Sequence, residues 1–470
     1  MTSQSQRPAL VTTVLVGAAF LAGIDLFIVN VAFDEIGRDL AGPSGAGLAE
    51  LSWVLNAYAV LYAALLVPLG RLTDRYGRKP GFVAGLVLFT AASAACALAG
   101  SVGALIVFRG IQAVGAAAMT PAGLGLLLAA LPPERKAPAA RLFALTGALA
   151  AAFGPAVGGG LVQLSWHWAF WINVPLGVLL VVAAVRVVPD VRHNTDAPRP
   201  DLLGALVLAL AVGALVLGLV QGEEWGWTSG RVLGSWAVAV LATLVFGWRI
   251  LHHASPVVDP ALLRVRAFAG TNLAGVLFNT GFGASLLAGI LWMQQVWDYT
   301  ALRTGLAVAL GPLVVPVSSL LAHRLLPRAR PAAFVAAGSL VTAAGALLMA
   351  ASLSTEPSYW TTFLPAWVVT GVGVGLVMPN LVSAATATLP AEQVSTGSGV
   401  ITMARQLGLV LGVSVLVAVV GADPSLDGFR TAWLFVAGSA VAAALAAATM
   451  APVSRRAPAP PAPEPAATTR

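Results

Sequence analysis

Asp25, Arg109 and Arg405 are charges that fall inside long apolar runs of this sequence. Even the lowest scales put a charge at the bilayer centre at about 2.5–3.5 kcal/mol for insertion, so intramembrane ionisable residues default to function. Asp25 lies fifteen residues into its run, ~22 Å at 1.5 Å per residue. In a ~30 Å hydrocarbon core it then sits ~8 Å below the far edge. Arg109 lies about five residues inside the opposite end of its own run, again ~8 Å down. An acid and a base at one level can trade a proton for an ion pair: deprotonated when paired, protonated when apart. A pair kept for structure alone would account for the same charges, and the two readings are compatible.

Little other chemistry is available. No G-x-x-x-x-G-K-[ST] loop occurs, so nucleotide drive is not expected. GVGVG at 371–375 lies inside an apolar run with no strand before it, which favours close helix packing over a cofactor loop. No metal-ligand cluster appears, and the five histidines (His167, His193, His252, His253 and His323) fall in loops or at run ends. The single cysteine, Cys96, excludes an internal disulfide. No cofactor is expected, and any work must be driven by an ion gradient, most simply protons.

The elements that position these residues are helices in a membrane. The chain has 470 residues, 58 % hydrophobic and only 10 % charged, against about a quarter charged in soluble domains. Fourteen apolar runs of about 20 residues can be counted, from 10–33 to 430–450. The first is too long for a signal peptide and contains Asp25, so it should stay uncleaved. Of the 26 Arg and Lys, twenty fall on the side of both termini and four on the other, Arg109 and Arg405 being inside spans. That bias makes the termini cytoplasmic and explains the net charge of +7 without a nucleic-acid partner. Trp166, Trp168, Phe170 and Trp171, with Trp225 and Trp227, sit at outer span ends as interface anchors. Residues 452–470, rich in Pro and Ala, read as a disordered tail.

The most specific stretch is GRLTDRYGRKP at 70–80, five charges in nine residues between two apolar runs. It reads as a cytoplasmic hairpin. A basic loop explains the arginines but not Asp74 at fixed spacing between Gly70 and Gly77. The stretch resembles the G-x-L-x-D-R-x-G-R-K signature of the major facilitator superfamily of transporters. Three further stretches, with the fourteen spans, resemble that superfamily's fourteen-helix drug:proton antiporters. DLFIVNVAFDEIGRDL at 25–40 is similar to their helix 1, with Phe27 for Thr and Asp34 for Pro. RGIQAVGAAAMTP at 109–121 is similar to helix 4, with Ala113 for Gly. GALAAAFGPAVGGGLVQ at 147–163, followed by WHWAFWINVPLG, is similar to the antiporter motif of helix 5 and the start of helix 6. In the second half the likeness rests on QQVWDYTALRTG at 294–305 and MARQLG at 403–408, and LAHRLLPRARP at 321–331 has His323 where a second signature would have its acid.

The resemblance implies an all-α polytopic membrane protein with two six-helix bundles and an extra central two-helix hairpin. The bundles are expected at 1–190 and 261–451, with linker and hairpin at 191–260. It implies proton coupling through Asp25 and Arg109, and gating through Gly70, Asp74, Arg75, Gly77 and Arg78, with Asp74 a latch at the helix start near Ser395 and Thr396. Gly154 and Gly158, four apart, with Pro155 and Gly159, suit either generic packing or a specific role; the resemblance favours sealing between the bundles. Substrate contacts are expected among Asn30, Asn56, Tyr58, Gln112, Asn279, Trp292, Gln294 and Gln295. The expected function is proton-coupled export of hydrophobic or cationic amphipathic small molecules by a monomer in a bacterial inner membrane. A nutrient uniporter or symporter of the same superfamily is the alternative; an enzyme would need a catalytic constellation that the sequence does not show.

Overall fold

The computed structural model describes residues 3–40, 47–190, 199–386, 389, 394–421 and 425–450. Fourteen helices are long and apolar enough to cross a membrane. They are α1 (Pro8–Leu40), α2 (Leu48–Tyr76), α3 (Arg78–Ala97), α4 (Val102–Ala130), α5 (Glu134–Val162), α6 (Trp168–Val187) and α7 (Leu202–Val220). The second half has α8 (Gly230–His252), α9 (Arg266–Val296), α10 (Ala301–Leu325), α11 (Pro331–Ser352), α12 (Tyr359–Ala385), α13 (Gly397–Val420) and α14 (Leu426–Ala448). No strand occurs among the described residues.

Polar residues end the spans where the chain meets water. Ser101, Asp201, Ser229, Thr300 and Ser425 stand just before their helices, and each side chain accepts a first-turn N–H. Such caps satisfy donors that a helix start otherwise leaves open. Between them, lipid contact replaces amphipathic patterning: Leu206, Leu210, Leu241, Leu244 and Val317 are exposed on the flanks of α7, α8 and α10.

α1 to α6 pack into one bundle, chiefly through α3 on α4, α2 on α4 and α1 on α5. α9 to α14 form the second, through α11 on α12, α9 on α13 and α11 on α14. α7 and α8 form the extra hairpin. The bundles meet along two seams, α5 with α10 and α2 with α13. With fourteen crossings, both ends of the chain fall on one face, here the terminal face.

The 70–80 stretch is not the loop that its charges suggested. α2 continues to Tyr76 and α3 starts at Arg78, so Gly77 alone makes the turn. Its φ of 121° is open to glycine and strained for any residue with a Cβ. Helix 1 is likewise longer than the apolar run. With Asp34 in place of proline the backbone N–H is kept, and the helix runs on to Leu40 past the Asp34–Arg38 ion pair. Trp166 is also not an interface anchor: it is 1 % exposed, donates to Asp39 at 2.7 Å and packs edge-on against Phe170. Phe170 is fully buried with it, whereas Trp168 and Trp227 are exposed. Residues 191–198 of the linker and the tail from Pro452 lie outside the described residues.

Candidate functional site

Five helices of the first bundle converge on Asp25. α1 carries the acid, α2 Val54 and Tyr58, α3 Ser93, α4 Arg109 and Gln112, and α6 Asn173. On α4, Arg109 and Gln112 are three residues apart and so share a face. Asn173 sits where the short turn Trp168–Trp171 gives way to the main length of α6.

Arg109 Nη1 lies 2.6 Å from Asp25 Oδ2. The other carboxylate oxygen accepts from Gln112 Nε2 at 2.9 Å and Asn173 Nδ2 at 2.7 Å. Arg109 also donates to Gln112 Oε1 at 2.7 Å and, through Nε, to the Val54 carbonyl at 3.2 Å. Its guanidinium stacks 4.1 Å from the Tyr58 ring centre. Ser93 Oγ accepts from Gln112 and Asn173 and donates to the Phe170 carbonyl. Asp25, Ser93, Arg109, Gln112 and Asn173 are all fully buried.

This network fits an ionised carboxylate, because all three groups facing it are N–H donors. Oδ1 already accepts two hydrogen bonds, so a proton would go to Oδ2, the oxygen that faces Arg109, and would remove the charge with which the guanidinium pairs. Arg109 Nη2 is buried without an acceptor, so the guanidinium is incompletely satisfied even while it is paired. Breaking a buried pair by removing one member typically costs about 3–5 kcal/mol. A proton and the guanidinium would therefore compete for one carboxylate.

Sequence reasoning brought Asp25 and Arg109 to one level; the structure joins them. It also moves Gln112 and Tyr58, expected at the substrate, into this ionic network. Asn173 and Ser93 were missed. Their only signal was polarity within apolar surroundings, which helix interiors tolerate for many reasons. The other substrate candidates do not converge. Asn30, Asn56 and Asn279 spend their amides on their own helices, Asn30 on the Leu26 carbonyl, Asn56 on Ser52 Oγ and Asn279 on the Gly275 carbonyl. Trp292 is buried edge-on against Phe429. Gln295 is exposed. Gln294, from a π-helical turn at the end of α9, donates to the Val31 carbonyl of α1 at 3.1 Å and so ties the bundles together away from the terminal face.

The glycines of α5 divide by face. A Cβ on Gly154 or Gly158 would strike Phe27 or Val31 of α1, within the same bundle. It is Gly159 and Pro155 that meet α10. A Cβ on Gly159 would fall 2.3 Å from the Ala301 carbonyl oxygen, and one on Gly305 would fall 2.0 Å from that of Pro155. Of the four residues expected to seal the bundles, Pro155 and Gly159 lie at the inter-bundle contact, where backbone touches backbone, and Gly154 and Gly158 pack within the first bundle. The opening away from the terminal face is closed here.

At the terminal face, Arg78 donates to Asp74 at 2.5 Å and reaches the Gly125 carbonyl at 3.3 Å. A Cβ on Gly125 would fall 2.9 Å from Arg78 Nε, so this glycine makes room for the guanidinium. Gly70 packs on Pro121, Arg71 donates to Ser255 and the Pro256 carbonyl, and Lys79 donates to the Val185 carbonyl. Arg75 lies over the Tyr76 ring. The Ser395 and Thr396 side chains, to which the Asp74 latch was assigned, lie outside the described residues.

Two helical bundles joined through a hairpin, with buried, hydrogen-bonded charge in the first, define a polytopic membrane transporter. The chain belongs to the Major Facilitator Superfamily, whose sequence profile it matches over residues 15–413 and 273–470. It is 34 % identical to the tetracenomycin C resistance and export protein of Streptomyces glaucescens, over 86 % of this chain and 74 % of the relative. It is 30 % identical to the methylenomycin A resistance protein of Streptomyces coelicolor, over 88 % of this chain and 86 % of the relative. The puromycin resistance protein pur8 of Streptomyces alboniger is 32 % identical over 86 % of this chain and 80 % of that one. The fold matches the crystal structure of an auto-inhibited POT family peptide transporter, with a TM-score of 0.68 at 18 % identity, covering 95 % of this chain and 99 % of that one.

Proposed function

We propose that this protein exports small amphipathic compounds from the cell in exchange for protons. The observation that carries this reading is the buried Asp25 carboxylate, with Oδ1 saturated by two amide donors and Oδ2, the oxygen left to take a proton, paired with Arg109. A proton arriving from outside displaces Arg109 from Asp25, loosens α1 from α4 and biases the bundle toward its other arrangement. Return of Arg109 expels the proton on the inner side. The moving bodies are residues 1–190 and 261–451, sliding at the α2/α13 and α5/α10 seams. The resistance and export functions named for its relatives support the outward direction. The concentration of Arg and Lys on the terminal face supports a bacterial cell membrane with both termini in the cytoplasm. No group beyond the proton gradient is needed for the cycle.

The test is uphill efflux of a fluorescent amphiphile from cells or proteoliposomes. A protonophore should abolish it. Asp25→Asn carries an uncharged amide in place of the carboxylate, so the protein should insert yet fail to pump. If Asp25→Asn still exports against a gradient, another acid couples transport, and Asp34 is the next candidate.

A further inference from the structure

Arg405 is the remaining charge in the membrane interior, and no acid pairs with it among the described residues. Its Nε is buried without an acceptor, and neither a hydrogen bond nor an ion pair involves its side chain among the described residues. Asp25 and Arg109 cancel, so the net charge carried inside the bundles is one positive charge at Arg405.

Its place is fixed by the α2/α13 seam. Gly399 on α13 faces Val67 on α2, where a Cβ would meet Val67 Cγ2 at 3.3 Å. The two helices run antiparallel. Arg405 is six residues along from Gly399, ~9 Å, and Tyr62 is five residues along from Val67, ~7.5 Å, in the same direction. Tyr62 and Arg405 therefore stand level across the seam, and they are electrostatic neighbours. Tyr62 stacks on Tyr58 with ring centres 5.9 Å apart, and Tyr58 lies under the Arg109 guanidinium. A continuous line runs from Asp25 through Arg109, Tyr58 and Tyr62 to Arg405.

Arg405 is only partly buried, so its guanidinium faces the space between the bundles, where an intramembrane charge marks a substrate or ion pathway. Guanidinium offers a planar fork of donors that matches a carboxylate. We propose that Arg405 is the substrate-binding residue for an anionic group, a carboxylate or similarly acidic oxygen, on the transported compound, with the Tyr62 hydroxyl beside it. This rests on the transporter reading above and replaces a hydrophobic or cationic preference with an acidic one. It also supplies a contact between cargo and the coupling site: a bound anion draws Arg405 and reaches the aromatic stack on which Arg109 rests.

The test uses three probes with one apolar body: 1-pyrenebutyrate, 1-pyrenebutanol and a pyrenebutyl-trimethylammonium salt. Binding to the full-length protein is read in phosphatidylcholine nanodiscs with no gradient, so it does not depend on whether Asp25 couples protons. Wild type should bind the carboxylate about tenfold more tightly than the alcohol, and the ammonium most weakly. Arg405→Gln should erase the difference between acid and alcohol while leaving alcohol binding unchanged, and Arg405→Lys should keep part of it. Equal binding of acid and alcohol by wild type, or an acid preference that survives in Arg405→Gln, overturns the assignment. If Arg405→Gln does not fold, wild type and Arg405→Lys decide: a preference undiminished in Arg405→Lys, or absent in wild type, overturns the assignment. Repeating the measurement in phosphatidylglycerol nanodiscs separates the sources of the anion: loss of the acid preference there would make a lipid headgroup the occupant and overturn the substrate role. Survival of that preference in Asp25→Asn, together with uphill pumping by that variant, would sink the coupling proposal alone.

Discussion

Asn173 Nδ2 donates to Asp25 Oδ1 at 2.7 Å, joining α6 to α1 across 148 residues of chain. The same amide nitrogen reaches Ser93 Oγ, so one side chain holds the acid and a third helix together. Asn173→Ala should leave the fully buried carboxylate short of a donor. A hydrogen bond to a charged group contributes about 1.5–3 kcal/mol. Thermal unfolding in detergent should shift down accordingly, and efflux should fall more than substrate binding. Asn173→Asp should be worse, because it sets a second acid against the first. Unchanged melting in both variants would mean that this contact is not made.

The close approach of α5 and α10 predicts a shift in conformational balance. Gly305→Val and Gly159→Ala place a side chain against carbonyl oxygens that cannot yield. Overpacking typically costs about 1–3 kcal/mol, all of it charged to the closed arrangement of this face. Labelling of a cysteine placed at Asn30 should then speed up roughly tenfold per 1.4 kcal/mol; the native Cys96 is buried and adds little background. Gly154→Ala is the control, since it presses on α1 inside one bundle and should destabilise without exposing the site. Equal labelling rates in all variants would place the seal elsewhere.

Asp74 and Arg78 act as one unit at the end of α2. Asp74→Asn should slow the transport cycle and leave substrate affinity nearly intact. Arg78→Gln should do the same, because it removes the partner and the tie to Gly125 on α4. Loss of affinity at an unchanged rate would contradict a conformational role.

Asp201 gives a pH signature to the extra hairpin. Burial alone would push its carboxyl up, but the Arg249 side chain and the Gly204 N–H both bond it and hold it below the usual carboxylate range. A lowered value in the fold means that this stabilisation is complete above the unfolded value of about 3.9 and is lost as pH falls through the folded one. Melting of wild type should therefore drop more steeply below about pH 4 than melting of Asp201→Asn, which lacks the pair throughout. Parallel curves would show that the pair adds no stability.

The fold was largely legible because membrane spans announce themselves by length and hydropathy, and the fourteen runs are the fourteen helices. Span ends were less so. Charges at 70–76 and 34–40 suggested loops, yet α2 runs unbroken to Tyr76, and α1, with Asp34 and Arg38 paired one turn apart, runs to Leu40. The site was half legible. Asp25 and Arg109 stand out as charges in lipid, whereas Asn173 and Ser93 are neutral and gain their meaning only from what they touch. Spacing on α5 showed that glycines four apart share a face. Which helix each face would meet depends on rotation about the axis, a tertiary quantity that a single sequence does not carry.

α7 lies along the seam between α2 and α13. Val216 and Val220 of α7 pack with Ala59 and Val60 of α2 and with Val410 and Val417 of α13 in one small apolar cluster. α8 packs on α7 and otherwise faces outward. No helix of the hairpin packs along the α5/α10 seam among the described residues. The inserted pair therefore works as a weather strip on one flank only. The α2/α13 flank, with Arg405 behind it, is thus screened by a third layer of protein, whereas the α5/α10 flank is closed by backbone contact alone.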